Sequence, residues 1–485
     1  MLDAVVVGSG PNGLAAAVTL ARAGLSVRVY EGSEHLGGGS QTAELTEPGF
    51  HHDVCSAVHP MAYASEFFHR FGLAERLEFI TPPVSYANPL TSTHAALAWR
   101  DLERTAESLG RDAQSWRALL RPLLNSLAAI SDAVAHPILR VPRHPVPLAR
   151  FAARAIEQGS PLWNLAWHGD DAPALLTGVI AHSIRPLPSI APTAAGLVLA
   201  AYAHAGGWPI PVGGSQMITD ALVADAVSHG VEFVTDHHVG SLSLLPPARA
   251  VIADTGVGGL STLAGDRMPR DYARALERFR PGNAASKVDF ALSGPIPWAN
   301  PDLARTATLH LCGTRADVAR AENQVARGNH ADNPYVLLSQ PSVFDPTRAP
   351  SGMHAVWAYT HVPRGSTIDQ TEAVTRQIER FAPGFRDLII SSATRTASEL
   401  HNHNPNFIGG DIATGDVSLR QLVARPVPSF DPWRTPMPGV YLCSAATPPG
   451  PGVHGLGGWR AALSALRNEF GIHREPDLSP RRRRR

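Results

Sequence analysis

Cysteine is nearly absent from this chain. Only Cys55, Cys312 and Cys443 occur in 485 residues, far apart from one another. There is no C-x-x-C pair, which excludes a redox dithiol and a thiolate zinc site. The three read as small buried apolar residues and suit a reducing compartment. Net charge is absent too, because 42 basic residues balance 42 acidic ones. That removes the electrostatic case for a nucleic-acid partner. No run of about 18 apolar residues is free of charges and breakers, so no membrane-crossing helix is expected. No signal or transit peptide is read before the first strand, which starts at residue 4. The 22 histidines show no H-x-x-x-H or H-E-x-x-H spacing, so no metal is expected. His51-His52 and His237-His238 read as loop or strand-end residues.

The composition is that of a folded chain. Charged residues are 17% and hydrophobic ones 44%, far from a disordered balance. The length suits two or more domains. Arg481 to Arg485 form a run of five arginines. It reads as a solvated, disordered end, with contact to anionic lipid or nucleic acid as the alternative.

Chemistry is concentrated at the start. Residues 4 to 31, AVVVGSGPNGLAAAVTLARAGLSVRVYE, read strand, glycine turn, helix, strand, acid. Gly8, Gly10 and Gly13 supply G-x-G-x-x-G. Gly8 permits the tight exit from the strand, Gly10 lets a pyrophosphate approach the backbone, and Gly13 lets helix and sheet lie close. The helix N-terminus, with Ser9, Pro11 and Asn12 in its loop, then holds phosphates. Glu31 is placed to accept from a ribose diol, which disfavours a 2′-phosphate and hence NADP. This block implies a dinucleotide and leaves FAD and NAD open.

Further along, residues 35 to 45 (HLGGGSQTAEL) make a second glycine loop. Residues 101 to 160 are helical in pattern with prolines near 137 to 147, and 161 to 204 look like helices around an apolar space. Residues 209 to 255 return to nucleotide-type elements. Residues 284 to 292 and 353 to 362 alternate like half-buried strands of a separate antiparallel sheet. A helix is expected within 366 to 382. The fold class is therefore α/β, a Rossmann-type domain interleaved with a second, α+β domain. Segments 1–85, 205–283 and 405–475 are assigned to the first, 86–204 and 284–404 to the second, and 476–485 to a disordered basic tail.

The last block narrows the cofactor. Residues 439 to 470 read strand, glycine-proline turn, long helix, with the helix starting near Val453 and running to about Arg467. Its N-terminus is a second positive dipole end. A pyrophosphate needs only one. A flavin uses another, because its reduced ring is negative near N1 and O2.

Six segments keep their order along the chain: VVVGSGPNGLAAA (5 to 17), VYEGSEHLGGGSQT (29 to 42), PVGGSQMITDAL (211 to 222), KVDFALSGPIPW (287 to 298), NPNFIGGDI (404 to 412) and YLCSAATPPGPGVHGLGGWRAA (441 to 462). With them the chain resembles the carotenoid/retinoid oxidoreductase family, that is, phytoene-desaturase-like FAD enzymes. Within it, the branch related to pyridine nucleotide-disulfide oxidoreductase domain-containing proteins is most similar. The resemblance implies a glutathione-reductase-like FAD domain beside a substrate domain. It places Gly8, Gly10, Gly13 and Glu31 on the ADP part, and Gly38, Gly39 and Ser40 near pyrophosphate and flavin. Val239 would contact adenine, and Gly452 and Val453 would lie over the pyrimidine edge. Two positions depart from the family. Gly39 stands where many relatives have arginine, and Ser444-Ala445 replaces a Gly-Asp pair.

The implied reaction is hydride loss from a hydrophobic small molecule to flavin N5, by oxidation or desaturation. His454, Lys287, Asp411, His361 and Arg425 are the candidate acid–base groups, with His454 inside the flavin loop. A solvent-facing loop histidine, a surface lysine and a turn aspartate are the plainer accounts of the first three. Trp163, Trp167, Trp208, Trp298, Trp357 and Trp459 are candidates to line an apolar tunnel. Alternatives are a flavin amine oxidase, which lacks an obvious tyrosine pair here, and an FAD-binding regulatory scaffold with a protein partner. Expected partners are a hydrophobic substrate and a peripheral membrane surface. The expected place is the cytoplasm of a bacterium, or the mitochondrial matrix for the resembling eukaryotic branch.

Overall fold

A computed structural model describes residues 2–480. The arginines at 481 to 485, expected as a tail, lie outside the described residues.

The first sheet has five strands in the order Val440–Leu442, Ala248–Ala253, Leu2–Val7, Val27–Tyr30 and Glu232–Val234. Every pairing in it is parallel. A parallel sheet needs helices on both faces, and the period-2 pattern of its central strand shows why. Ala4 and Val6 point into one apolar core with the helices Pro11–Arg22, Gln216–Ser228 and Leu456–Phe470. Val5 and Val7 point into another with the helix Val257–Ala264. The five strands come from the beginning, middle and end of the chain.

The second sheet has seven strands, in the order Ile389–Arg395, Ala284–Leu292, His354–Val362, Val336–Ser339, Thr308–Leu311, Val84–Pro89 and Ala95–Trp99. It is mixed rather than wholly antiparallel, because Leu309 pairs with Ala87 in parallel. The strand Ala284–Leu292 was expected to be half-buried. It is buried at all nine positions, since both of its faces are covered. Val288, Phe290, Leu309, Val336 and Val356 pack behind the sheet against Val374 and Ile378 of the helix Thr371–Glu379. The opposite face carries different chemistry. Lys287 opposes Tyr359, Asp289 opposes Trp357, Tyr359 opposes Leu337, and Leu337 opposes His310. Directly opposed residues share a face, so these side chains form one polar and aromatic wall.

Helices between residues 102 and 205 cover that wall. The central one, Ile190–Ala205, carries no Asp, Glu, Lys or Arg and is buried along most of its length. Among the described residues, no helix is long and apolar enough to cross a membrane.

Three boundaries differ from expectation. The closing helix begins at Leu456, because Gly455 adopts φ +66° and interrupts the turn that starts near Val453. The helix expected within 366 to 382 is confined to Thr371–Glu379. Residues 476 to 480 are not a free tail. Leu478 is buried in the first core, and Arg22 donates to the Ser479 carbonyl oxygen at 3.1 Å.

Candidate functional site

The opening glycine turn is built by close approach. Gly8 has φ +97°, and its N–H donates to the Tyr30 carbonyl at 2.8 Å. A Cβ on Gly13 would stand 2.2 Å from the Gly8 carbonyl oxygen, so only glycine lets the helix start beneath the turn. A Cβ on Gly10 would meet the Asp254 carboxylate at 2.6 Å. Asp254 ends the strand Ala248–Ala253, and its Oδ2 accepts from the Gly13 N–H at 2.8 Å. Burial raises this carboxyl to about 7, the charge of Glu31 adding to it. The motif did not point to Asp254. The available signal was its place at the carboxyl end of a parallel strand, where such sheets bind ligands.

Glu31 holds loops together. Its Oε2 accepts from Ser9 N at 2.8 Å and Ser9 Oγ at 2.7 Å, and its Oε1 from Ser33 N at 2.9 Å. Oε1 keeps a lone pair for a further donor, whereas Oε2 already accepts twice. The second glycine loop closes against the first, since a Cβ on Gly38 would come 3.0 Å from the Gly10 Cα. Ser40, expected beside pyrophosphate, points elsewhere. It is fully buried and donates to the Ser215 carbonyl at 3.0 Å.

The two helix N-termini meet in space. A Cβ on Gly458 would fall 1.7 Å from the Asn12 carbonyl oxygen, and one on Gly457 would fall 2.5 Å from that of Cys443. Helices Pro11–Arg22 and Leu456–Phe470 therefore cross in backbone contact, and both positive ends face the same region.

That region is a cavity of about 1790 Å³. It exceeds the roughly 300–1,000 Å³ that suits one small ligand, so a dinucleotide and a second molecule fit together. Gly8, Ser9, Gly10, Pro11, Asn12 and Glu31 line one part, as do Gly38, Gly39 and Val239. Gly452 and Val453 line it at the closing turn. Gly13 lies beneath the turn and outside the lining. Beyond the glycines the wall becomes apolar, with Val198, Leu337, Trp208, Trp357 and Tyr359. Of the lining residues between 136 and 148, Ile138, Pro142, Arg143 and His144 are exposed.

His454 does not face this space. Its Nε2 lies 3.0 Å from the Gly450 carbonyl, and its Nδ1 accepts from Leu456 N at 3.1 Å. Burial pushes it down to about 4. Both ring nitrogens are used to shape the loop and cap the closing helix, so it has no free nitrogen for acid–base work. Asp411 is likewise structural. It accepts from the N–H groups of Gly282, Ala413 and Gly415 at 2.7, 3.0 and 2.8 Å and does not line the cavity. His361 pairs with Glu322 at 2.5 Å, also away from the lining.

Lys287 is neither a surface lysine nor in the lining. It is 3% exposed and paired with Asp289, whose other oxygen lies 3.5 Å from His52 Nδ1. Burial pulls the ammonium below its ordinary range, and Asp289 opposes that. It shares the sheet wall with Tyr359, which does line the cavity. It is also the only lysine in the chain, every other cationic side chain of this class being arginine. That count was the missed signal for its special place.

Arg425 does line the cavity. Its Nε donates to the Ala445 carbonyl at 2.8 Å and its Nη2 to that of Ala413 at 3.0 Å. Its Nη1 is buried without a partner among the described residues. Burial lowers it to about 10, so it remains a cation. Of the six tryptophans, only Trp208 and Trp357 reach the cavity. Arg315 lies over Trp163 and Trp167, Trp298 packs behind the second sheet, and Trp459 sits in the first core. Cys55 lines the cavity with a thiol pushed up to about 11 by burial, while Cys312 and Cys443 are buried.

The glycine cradle, the two dipole ends and the buried guanidinium fit an anionic dinucleotide. Comparisons agree at the level of fold. Residues 6–71 match the family model described as an NAD(P)-binding Rossmann-like domain. The chain is 24% identical to pyridine nucleotide-disulfide oxidoreductase domain-containing protein 2 of Rattus norvegicus, over 96% of this chain and 93% of that protein. Among solved structures, a putrescine oxidase variant shares the fold with a TM-score of 0.62 at 15% identity, covering 97% of this chain and 99% of that one. Cyclohexylamine oxidase from Brevibacterium oxydans does so with a TM-score of 0.55 at 14% identity, covering 98% and 100%.

Proposed function

We propose that this chain is an FAD-dependent oxidoreductase acting on an apolar small molecule. The observation that carries the reading is a single cavity, glycine-lined at two helix N-termini and apolar beyond them. When bound, FAD supplies a hydride acceptor at N5. This chain's residues do the rest. Gly8 to Gly10 and Glu31 would hold the ADP half, with Val239 at the adenine. Gly452 and Val453 would lie beside the ring, where the closing helix favours negative charge. The Arg425 guanidinium offers a buried positive charge on the same wall. Trp208, Trp357, Tyr359 and Leu337 exclude water and hold an apolar substrate by its surface. The finer reading is phytoene-dehydrogenase-like, with removal of hydrogen from a carbon chain.

The cavity mouth supports entry from a membrane surface. Ile138 and Ile156 of its lining are exposed, and so are Val141 and Val146 beside them in sequence, Val141 at 84%. Arg140, Arg143 and Arg150 are interleaved with them. An apolar strip set among arginines suits the interface of an anionic bilayer.

A second reading is a flavin amine oxidase, a chemistry named in both solved neighbours. The aromatic wall of Trp208, Trp357 and Tyr359 is the feature it would use. The test is the purified protein. Flavin absorbance is expected, together with anaerobic bleaching by an apolar alcohol or alkene. Bleaching by primary amines alone favours the oxidase reading. Bound flavin that no substrate reduces points to a regulatory scaffold. A protein that neither carries nor takes up FAD overturns all three.

A further inference from the structure

Beside Trp208 the cavity lining carries a histidine that hydride transfer leaves unused. His182 lines the cavity from the turn Ala181–Ser183, which follows the helix Asp171–Ile180. Behind it the second sheet supplies His310 and Asn88, both with no exposure. Three contacts link them in series. His182 Nε2 lies 2.8 Å from His310 Nε2, His310 Nδ1 lies 3.1 Å from Asn88 Oδ1, and Asn88 Nδ2 lies 3.0 Å from the Ala174 carbonyl oxygen.

The far end of this series dictates its direction. A backbone carbonyl only accepts, so Asn88 presents its NH₂ to Ala174 and its oxygen to His310. That oxygen also only accepts, so His310 carries its proton on Nδ1. Burial holds His310 well below the ordinary histidine range, which keeps it neutral and leaves Nε2 with a bare lone pair. His182 must then donate from Nε2. Burial also pushes His182 down to about 3. Neutral and protonated on Nε2, it presents an unprotonated Nδ1. No described residue donates to that atom. Its ring neighbour on the cavity wall is Trp208, edge-on at 5.6 Å between ring centroids.

The surroundings are shaped for this series. A Cβ on Gly178 would stand 2.3 Å from Asn88 Nδ2 and 2.7 Å from His310 Nδ1. The Tyr335 hydroxyl donates to the Gly178 carbonyl at 2.8 Å, and its ring stacks on His310 at 5.9 Å. The imidazole of His310 is thereby held in one orientation, and His182 inherits its tautomer from it.

We propose that His182 Nδ1 is a hydrogen-bond acceptor for the substrate, which is an apolar molecule bearing one hydroxyl or neutral amine. This rests on the reading that the cavity takes an apolar small molecule. A plain hydrocarbon or an ether seated against it would strip water from this lone pair and give it no donor. A carboxylate sets lone pair against lone pair. His182 stays neutral and orients the donor, without taking its proton.

The test is equilibrium dialysis of the FAD-loaded protein with n-octanol and heptyl methyl ether, isomers with and without a donor. Wild-type protein should bind n-octanol about tenfold more tightly, the ratio one hydrogen bond supports. In His182→Phe the ratio should fall to near one while the ether still binds. A ratio that survives in His182→Phe, or is absent from the wild type while both probes bind, overturns this inference alone. Binding of neither probe overturns the apolar-cavity reading as well. Should His182→Phe not fold, neutron diffraction of wild-type crystals decides. A proton on Nε2 and none on Nδ1 of His182 supports the proposal, and the reverse overturns it.

Discussion

Gly458 and Asn12 touch: a Cβ on Gly458 would lie 1.7 Å from the Asn12 carbonyl oxygen. This contact brings the end of the chain against its beginning and sets two helix N-termini on one cavity. Alanine favours a helix interior by about 1 kcal/mol over glycine. Here the overlap with backbone outweighs that gain, because neither helix can yield without moving the sheet beneath it. Gly458→Ala should destabilise the protein by about 1–3 kcal/mol, the usual range for overpacking. Chemical denaturation and flavin content per chain measure it, and both should fall.

Asp254 should make stability depend on pH. Its carboxyl sits at about 7 in the folded chain, mainly through burial. The folded state therefore holds a proton that the unfolded state releases between the ordinary carboxylate range and neutrality. Stability falls as pH rises through that window. In cofactor-free protein, Asp254→Asn should remove the decline and melt higher than wild type at about pH 8. A wild-type Tm that is level between about pH 5 and 8 would count against this account.

Lys287 and Asp289 form a buried pair, and removing one partner strands the other. Lys287→Met should cost about 3–5 kcal/mol. The double variant Lys287→Met with Asp289→Leu should recover most of that stability, because neither charge is left alone. Flavin reduction separates structure from chemistry. If the ammonium serves the reaction, the double variant is stable yet slow, and thermal melts beside single-turnover rates reveal it.

Arg425 lines the cavity, and its Nη1 is buried beside it with no partner among the described residues. A charge-assisted hydrogen bond contributes about 1.5–3 kcal/mol. Arg425→Gln should therefore weaken FAD binding by about 10- to 100-fold, read by flavin fluorescence quenching.

The apolar strip at the mouth should bind anionic vesicles. Co-sedimentation with phosphatidylglycerol vesicles should weaken as salt screens the arginines. The pair Val141→Asp and Val146→Asp should abolish it, with FAD content unchanged. Both positions are exposed, so the fold should not notice them.

The nucleotide half was far more legible in the sequence than the chemistry. Gly8, Gly10, Glu31 and Gly452 all line the cavity, because glycine requirements are written in the turns themselves. His454 and Asp411 were read from their neighbours in sequence, and both turned inward to satisfy nearby backbone. A polar side chain in a glycine-rich loop has many N–H and C=O groups within reach, and these compete with any ligand. His182 drew no notice, since its importance lies in His310, 128 residues away.

The sequence by itself determined the dinucleotide-binding unit, since its strand, turn, helix and acid interact within thirty residues and follow local periodicity. Tertiary structure decided the rest. Strand order set Asp254 against Gly13, 241 residues earlier. Sheet register put Lys287, Tyr359, Leu337 and His310 on one wall. Two crossing helices joined their dipole ends. Such partnerships depend on which strands pair and which helices cross, and these contacts are long-range. No window of sequence contains them.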